Sequence, residues 1–141
     1  MAELQIRSYQ ESDQDAVVVL WRACSLVVPW NDPVKDIQRK LRVQGDMFLV
    51  GLLDAQLVAA VMAGYEGHRG WINYLAAHPD YQNSGFGRRL MEEVEARLRA
   101  LGCPKINLQV RSSNAEVIEF YKRIGYSIDD VVSMGKRLEE D

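Results

Sequence analysis

The segment Gln82-Asn83-Ser84-Gly85-Phe86-Gly87 has the composition of an anion cradle. Its glycines fall where a loop becomes a helix. Unpaired backbone N–H groups and the positive end of a helix dipole therefore meet at one place, which suits a phosphate. A side chain at these positions would hold the anion away from the amides. Two familiar glycine loops do not fit. A P-loop carries Lys and then Ser or Thr directly after its last glycine, and Arg88 and Arg89 stand there instead. The dinucleotide fingerprint needs a third small residue three positions after the second glycine, and that residue is Leu90. A glycine-rich turn feeding a helix would leave the same trace, so the loop taken alone is balanced between binding and structure.

A second constellation runs from Asn114 to Tyr126, with Tyr121 and Gly125 inside it. Val117, Phe120, Tyr121 and Ile124 follow the i, i+3, i+4, i+7 spacing of one helix face. Periodicity by itself makes Tyr121 a core tyrosine. Asn114 is a good helix N-cap, and its NH2 group stays free for a second partner.

These residues need elements to position them. Leu4 to Ser8 reads as a strand. Ser12 or Asp13 caps a helix with Val17, Leu20, Trp21 and Cys24 on one face. Asp32 and Pro33 open a second helix that turns Val34, Ile37 and Leu41 inward. Met47 to Leu53 and Leu57 to Tyr65 are apolar strands joined by a turn at Asp54-Ala55-Gln56. Gly64 to Gly70 is a turn, and Trp71 to Ala77 is the strand before the glycine loop. The helix Arg88 to Leu101 buries Leu90, Met91, Val94, Leu98 and Leu101, and Gly102 ends it. A strand at Lys105 to Val110, the Asn114 helix and a terminal strand region, Tyr126 to Met134, complete the chain. Periodicity thus predicts a mixed α/β chain of one domain, residues 1–141.

Composition sets limits. The chain has 141 residues, enough for a substantial core, with 48% hydrophobic and 26% charged residues. The longest apolar run is far short of a membrane span, and the polar N-terminus lacks a signal-peptide core. A cytoplasmic protein that does not engage a membrane is the default expectation. Cys24 and Cys103 are isolated, so neither a disulfide framework nor a metal site is indicated. The net charge of −3 argues against a nucleic-acid surface.

Gln-x-x-Gly-x-Gly between a strand and a helix resembles the acetyl-CoA signature of the GNAT N-acetyltransferases, Arg/Gln-x-x-Gly-x-Gly/Ala. The stretch from Asn114 through Tyr121 to Gly125-Tyr126 resembles the family's later motif, in the family's order and at about its spacing. The two cover roughly the C-terminal half of the chain. Pro-Trp-Asn-Asp-Pro, Gly-Tyr-Glu-Gly-His-Arg-Gly and Gly-Cys-Pro-Lys-Ile further resemble the YpeA-type bacterial acetyltransferases. The resemblance implies a single α/β (α+β) GNAT domain, with a mixed, mostly antiparallel sheet of six to seven strands and about four helices.

It also implies acetyl transfer from acetyl-CoA to a primary amine, on a small molecule or a peptide, by direct attack. On this reading Gln82, Asn83, Ser84, Gly85, Phe86 and Gly87 hold the pyrophosphate, largely through backbone amides. Leu75, Ala76 and Ala77 pair with the pantetheine arm, and an amide at Ala77 polarises the acetyl carbonyl. Asn114 and Tyr121 contact the cofactor, and Tyr121 protonates the departing thiolate. Relatives often carry a Lys or Arg where this chain has Ser84, so Arg88 or Arg89 is expected to supply the missing charge. The ribosomal-protein acetylases use a glutamate where this chain has Gln109, and glutamine cannot accept a proton. The base is then sought among Glu66, His68 and Tyr74, with Glu66 acting through a water preferred. His78 is read as positional. Open alternatives are a GNAT-fold module that holds an acyl-CoA without turnover and an interaction protein. A homodimer through the C-terminal strands is compatible with the sequence.

Overall fold

The computed structural model describes residues 3–141. β1 (Gln5–Ser8), β2 (Phe48–Leu53), β3 (Gln56–Tyr65) and β4 (Gly70–Ala77) form an antiparallel meander, and β5 (Ile106–Leu108) joins parallel to β4. α1 (Gln14–Ala23) and α2 (Pro33–Leu41) separate β1 from β2, α3 (Phe86–Ala100) connects β4 to β5, and α4 (Ala115–Arg123) follows.

Helices cover both faces of the sheet. On one face Leu49, Ala59, Val61, Ala63 and Ile72 meet Leu90, Met91, Val94 and Leu98 of α3 and Tyr121 of α4. On the other, Phe48, Val50, Ala60, Met62 and Ala76 meet Val17, Leu20 and Trp21 of α1 and Ile37 of α2. Alternate residues of β3 point to opposite faces, and both faces are dry. That is why its sequence is a continuous apolar run rather than an alternation.

Local chemistry explains the ends of these elements. Asp32 Oδ1 accepts from the Val34 and Lys35 amides at 3.0 and 3.2 Å, and Pro33 fills the first helical position of α2. Asp13 does not cap α1. It is buried, receives the Arg7 guanidinium through two bonds of 2.7 and 2.9 Å, and accepts from the Gln10 amide at 2.8 Å. Asp54 and Ala55 both have positive φ, 50° and 66°, making a two-residue hairpin turn without glycine. Gly102, at φ 85°, ends α3. Leu101 lies just past the last helical residue and is 52% exposed, although helical spacing predicts it buried.

Among the described residues the sheet has five strands rather than six to seven, and Tyr126 to Met134 forms no strand. Side chains rather than a backbone ladder hold this segment beside β5. Lys105 and Asn107 both donate to Asp129 at 2.9 Å, and Gln109 donates to Ser133. Further along, Arg137 donates to Asn31 at 3.0 Å, and Asp141 accepts from the Asp32 amide at 3.0 Å and from Arg39 at 2.8 Å, so the tail crosses to α2. Ile128, Val131, Val132 and Met134 remain 75–90% exposed. Without a paired neighbour and a covering layer, their alternation does not produce a strand.

Candidate active site

β4 and β5 pair only from Gly70 to Ile72, so the outer edge of β4 is open from Asn73 to Ala77. The β3–β4 register advances two residues on β3, from Ala60 to Met62, for three on β4, from Ala76 to Asn73. This is a β-bulge on β4. Tyr74 sits in it at φ 55°, a conformation that costs a non-glycine residue about 1–3 kcal/mol. Two contacts hold it there. Its ring stacks on Trp21 with centroids 4.0 Å apart, and its hydroxyl donates to Asp36 Oδ2 at 2.6 Å. Burial and Asp36 together push its pKa up. At the strand end, the His78 amide donates to the Val58 carbonyl at 2.8 Å. Antiparallel alternation therefore turns the N–H and C=O of Ala77 away from β3, toward the open edge. The Cys24 thiol accordingly donates to the Ala77 carbonyl at 3.3 Å.

The splay opens onto a cleft of about 1560 Å³, lined by Asn73 and Tyr74 of β4, by Leu108 to Ser112, and by Tyr121. A pocket for one drug-sized ligand is typically about 300–1,000 Å³, so this cleft has room for two molecules. Tyr121 is 8% exposed and packs edge-on against Phe120 and Tyr126, with ring centroids 5.1 and 5.6 Å away. Burial pushes its pKa up to about 12. Its hydroxyl has no hydrogen-bond partner among the described residues.

The glycine loop lies beside this cleft rather than within its lining. Gly85 has φ 80° and open space where a β-carbon would be. It is the N-cap of α3, offers no side-chain cap, and no acidic residue occupies the first turn. The amides of Phe86, Gly87 and Arg88 consequently have no partner among the described residues. Gly87 has a different reason to be glycine: a β-carbon there would meet Phe120 Cζ at 3.2 Å. Leu75 and Phe86 pack their side chains against the core cluster that contains Tyr121, so what they offer a ligand is backbone. The Ser84 amide is bonded to the Tyr81 carbonyl at 3.2 Å. Gln82 and Asn83 are exposed, and Asn83 has φ 67°. Arg88 points along its own helix, Nε to Glu92 Oε1 at 3.2 Å. Asn114 caps α4, accepting from the Val117 amide at 3.3 Å, and its NH2 group has no partner among the described residues.

Glu66 does not line the cleft. Its carboxylate accepts from the His68 amide at 2.8 Å and from the Arg69 amide, closing the β3–β4 turn. That turn sits at the start of β4, about 25 Å of strand from Ala77 at the usual rise per residue. His68 shares the turn. Two features escape sequence reasoning: the Tyr74 bulge, and the meeting of Arg111, on the cleft wall, with Trp30, the guanidinium carbon 5.1 Å from the indole centroid. The bulge shows only in the β3 register, and the Arg111–Trp30 pair joins segments far apart in sequence.

The site thus joins an open strand edge, a bulge and an uncapped helix start, and comparison with known proteins gives the class. The Acetyltransferase (GNAT) family matches residues 6–126, and the chain belongs to that family of N-acetyltransferases. An acetyltransferase of Pectobacterium atrosepticum is 45% identical over 138 residues, covering 98% of each chain. Among solved structures, the ribosomal-protein-S18-alanine N-acetyltransferase of Escherichia coli superposes with a TM-score of 0.71 at 26% identity, covering 87% of this chain and 77% of that one. The PaiA N-acetyltransferase of Thermoplasma acidophilum, solved with coenzyme A, superposes at 0.73 with 16% identity over 92% and 93%. Among the described residues no helix is long and apolar enough to cross a membrane.

Proposed function

We propose that the chain moves an acetyl group from acetyl-CoA to a primary amine by direct attack, with Tyr121 as general acid. The observation that carries the reading is the Tyr121 hydroxyl: neutral, unpartnered, and on the wall of the cleft where β4 and β5 part.

The cofactor supplies the activated acetyl group. The uncapped amides of Phe86, Gly87 and Arg88 suit its pyrophosphate, with Gln82 to Gly85 wrapping it. Leu75 to Ala77 offer an open edge to the pantetheine arm, as an added strand would be received. The outward N–H of Ala77 is aimed where an oxyanion would develop. The free NH2 of Asn114 suits a further contact with the cofactor.

A tyrosine raised to about 12 looks weak as an acid for a thiolate. The same burial penalises the thiolate, so both partners become more basic together and the transfer stays matched. The amine loses its proton to water in the open cleft. Glu66, occupied with its own turn, has no part in this reading.

Calorimetric titration with acetyl-CoA, against dephospho-CoA and ATP, tests it. Selective binding of acetyl-CoA, followed by turnover in an amine library, supports the proposal. Absence of binding at low salt overturns it.

A further inference from the structure

We infer that Arg111, held on the face of Trp30, is a carboxylate-recognition group at the cleft mouth, and that the acceptor is an amine that also carries a carboxylate. The inference rests on the acetyl-transfer reading for the amine end and on independent geometry for the acid end.

Trp30 comes from the α1–α2 loop and Arg111 from the segment between β5 and α4. The guanidinium carbon lies 5.1 Å from the indole centroid. A cation over an aromatic face is held by the ring quadrupole without using its hydrogen bonds. The guanidinium N–H groups form the fork that matches a carboxylate. None of those donors meets an acceptor among the described residues. Trp30 is itself 50% exposed, so both partners are reachable from solvent.

The surroundings favour an anion. The chain carries a net charge of −3. The cleft lining nevertheless holds four cations, Arg99, Lys105, Arg111 and Lys122, against two carboxylates, Glu95 and Asp129. Both carboxylates are already engaged. Tyr126 donates to Glu95 at 2.8 Å, and Lys105 and Asn107 hold Asp129 at 2.9 Å. Lys105 is thereby neutralised, and Lys122 lies 3.8 Å from Glu119. Arg99 and Arg111 are left without a hydrogen-bond or ion-pair partner among the described residues, and of the two it is Arg111 that is held over an aromatic ring. A cleft with this excess would repel a simple polyamine and attract an acid. An amine at Tyr121 and a carboxylate at Arg111 would make the acceptor a zwitterion.

The test uses the full chain labelled with 15N and follows the Trp30 indole N–H, assigned with W30F. The probes are ω-amino carboxylates of three to six carbons and the matched alkylamines. The Trp30 resonance should move with the acids and not with the alkylamines, and R111Q should abolish the response. In acetyl transfer, R111Q should lower kcat/KM for the acids by about tenfold or more, chiefly through KM, with alkylamines unchanged. Acetyl-CoA affinity should be unchanged. The inference is overturned if acids and alkylamines behave alike, or if the response survives R111Q. It is also overturned if R111Q weakens acetyl-CoA and leaves acceptor preference intact, since Arg111 would then serve the cofactor. A Trp30 response to the acids without any turnover would sink the enzyme reading alone.

Discussion

Gly87 and Phe120 bring α3 and α4 into contact: a β-carbon on Gly87 would stand 3.2 Å from Phe120 Cζ. One glycine of the anion loop is thus fixed by helix packing beside Tyr121, whose ring lies edge-on to Phe120 at 5.1 Å. Gly87→Ala should push the Phe120 ring and cost about 1–3 kcal/mol, as overpacking does. Gly85→Ala has free space but a φ of 80°, and should cost about 1 kcal/mol of backbone strain. Denaturant melts of both variants, with acetyl-CoA affinity alongside, separate packing from binding.

On the proposed mechanism Tyr121 sets the pH profile. Burial raises its pKa to about 12, so the phenol stays protonated through the range in which amines become neutral. The rate should climb with pH as the acceptor deprotonates and show no falling limb below about pH 10, where an unperturbed tyrosine would begin to ionise. A kcat profile between pH 6 and 10.5 checks this. A descending limb near neutrality would require a different acid.

Tyr126 ties the chain after α4 to α3 through its 2.8 Å bond to Glu95. Tyr126→Phe should cost about 1.5–3 kcal/mol, the range for a hydrogen bond to a charged group. Burial first, and Glu95 next, raise the Tyr126 pKa above its ordinary 10.0. A raised value favours the neutral phenol in the fold. The stabilisation is full below about pH 10 and fades as pH rises through the higher folded value. Stability of the native chain should therefore fall more steeply above pH 10 than that of Tyr126→Phe.

Asp13 titrates in the opposite sense. The Arg7 hydrogen bonds hold its carboxyl below the usual range. Its contribution is present above about pH 4 and lost as pH falls through the lower folded value. Asp13→Asn should lose about 2 kcal/mol at pH 7 and flatten the acid limb of a stability–pH curve.

How much of this was legible in the sequence follows from the range of each interaction. The Asp32-Pro33 start of α2, the Gly102 stop of α3 and the buried stripe Leu90, Met91, Val94, Leu98 are local, and spacing reveals them. Tyr121 was legible twice, as a buried helix residue and as a motif residue, and the structure gives it both a core and a cleft. The engagement of Glu66 with the His68 and Arg69 amides is not visible in the sequence, because a turn's side-chain bonds depend on its backbone conformation. The Tyr126 to Met134 segment alternates like a strand, but alternation supplies no partner, and its side-chain ties to Lys105, Asn107 and Gln109 are invisible in the sequence. The Tyr74 bulge exists only in the β3 register.

The most direct test of acid catalysis at Tyr121 is the steady-state kinetics of Tyr121→Phe with an accepted amine. kcat should fall by about 100-fold or more, the range for loss of a positioned acid, while acetyl-CoA affinity and the melting temperature stay close to native. An unchanged kcat, or a loss that only tracks weaker cofactor binding or lower stability, would contradict it.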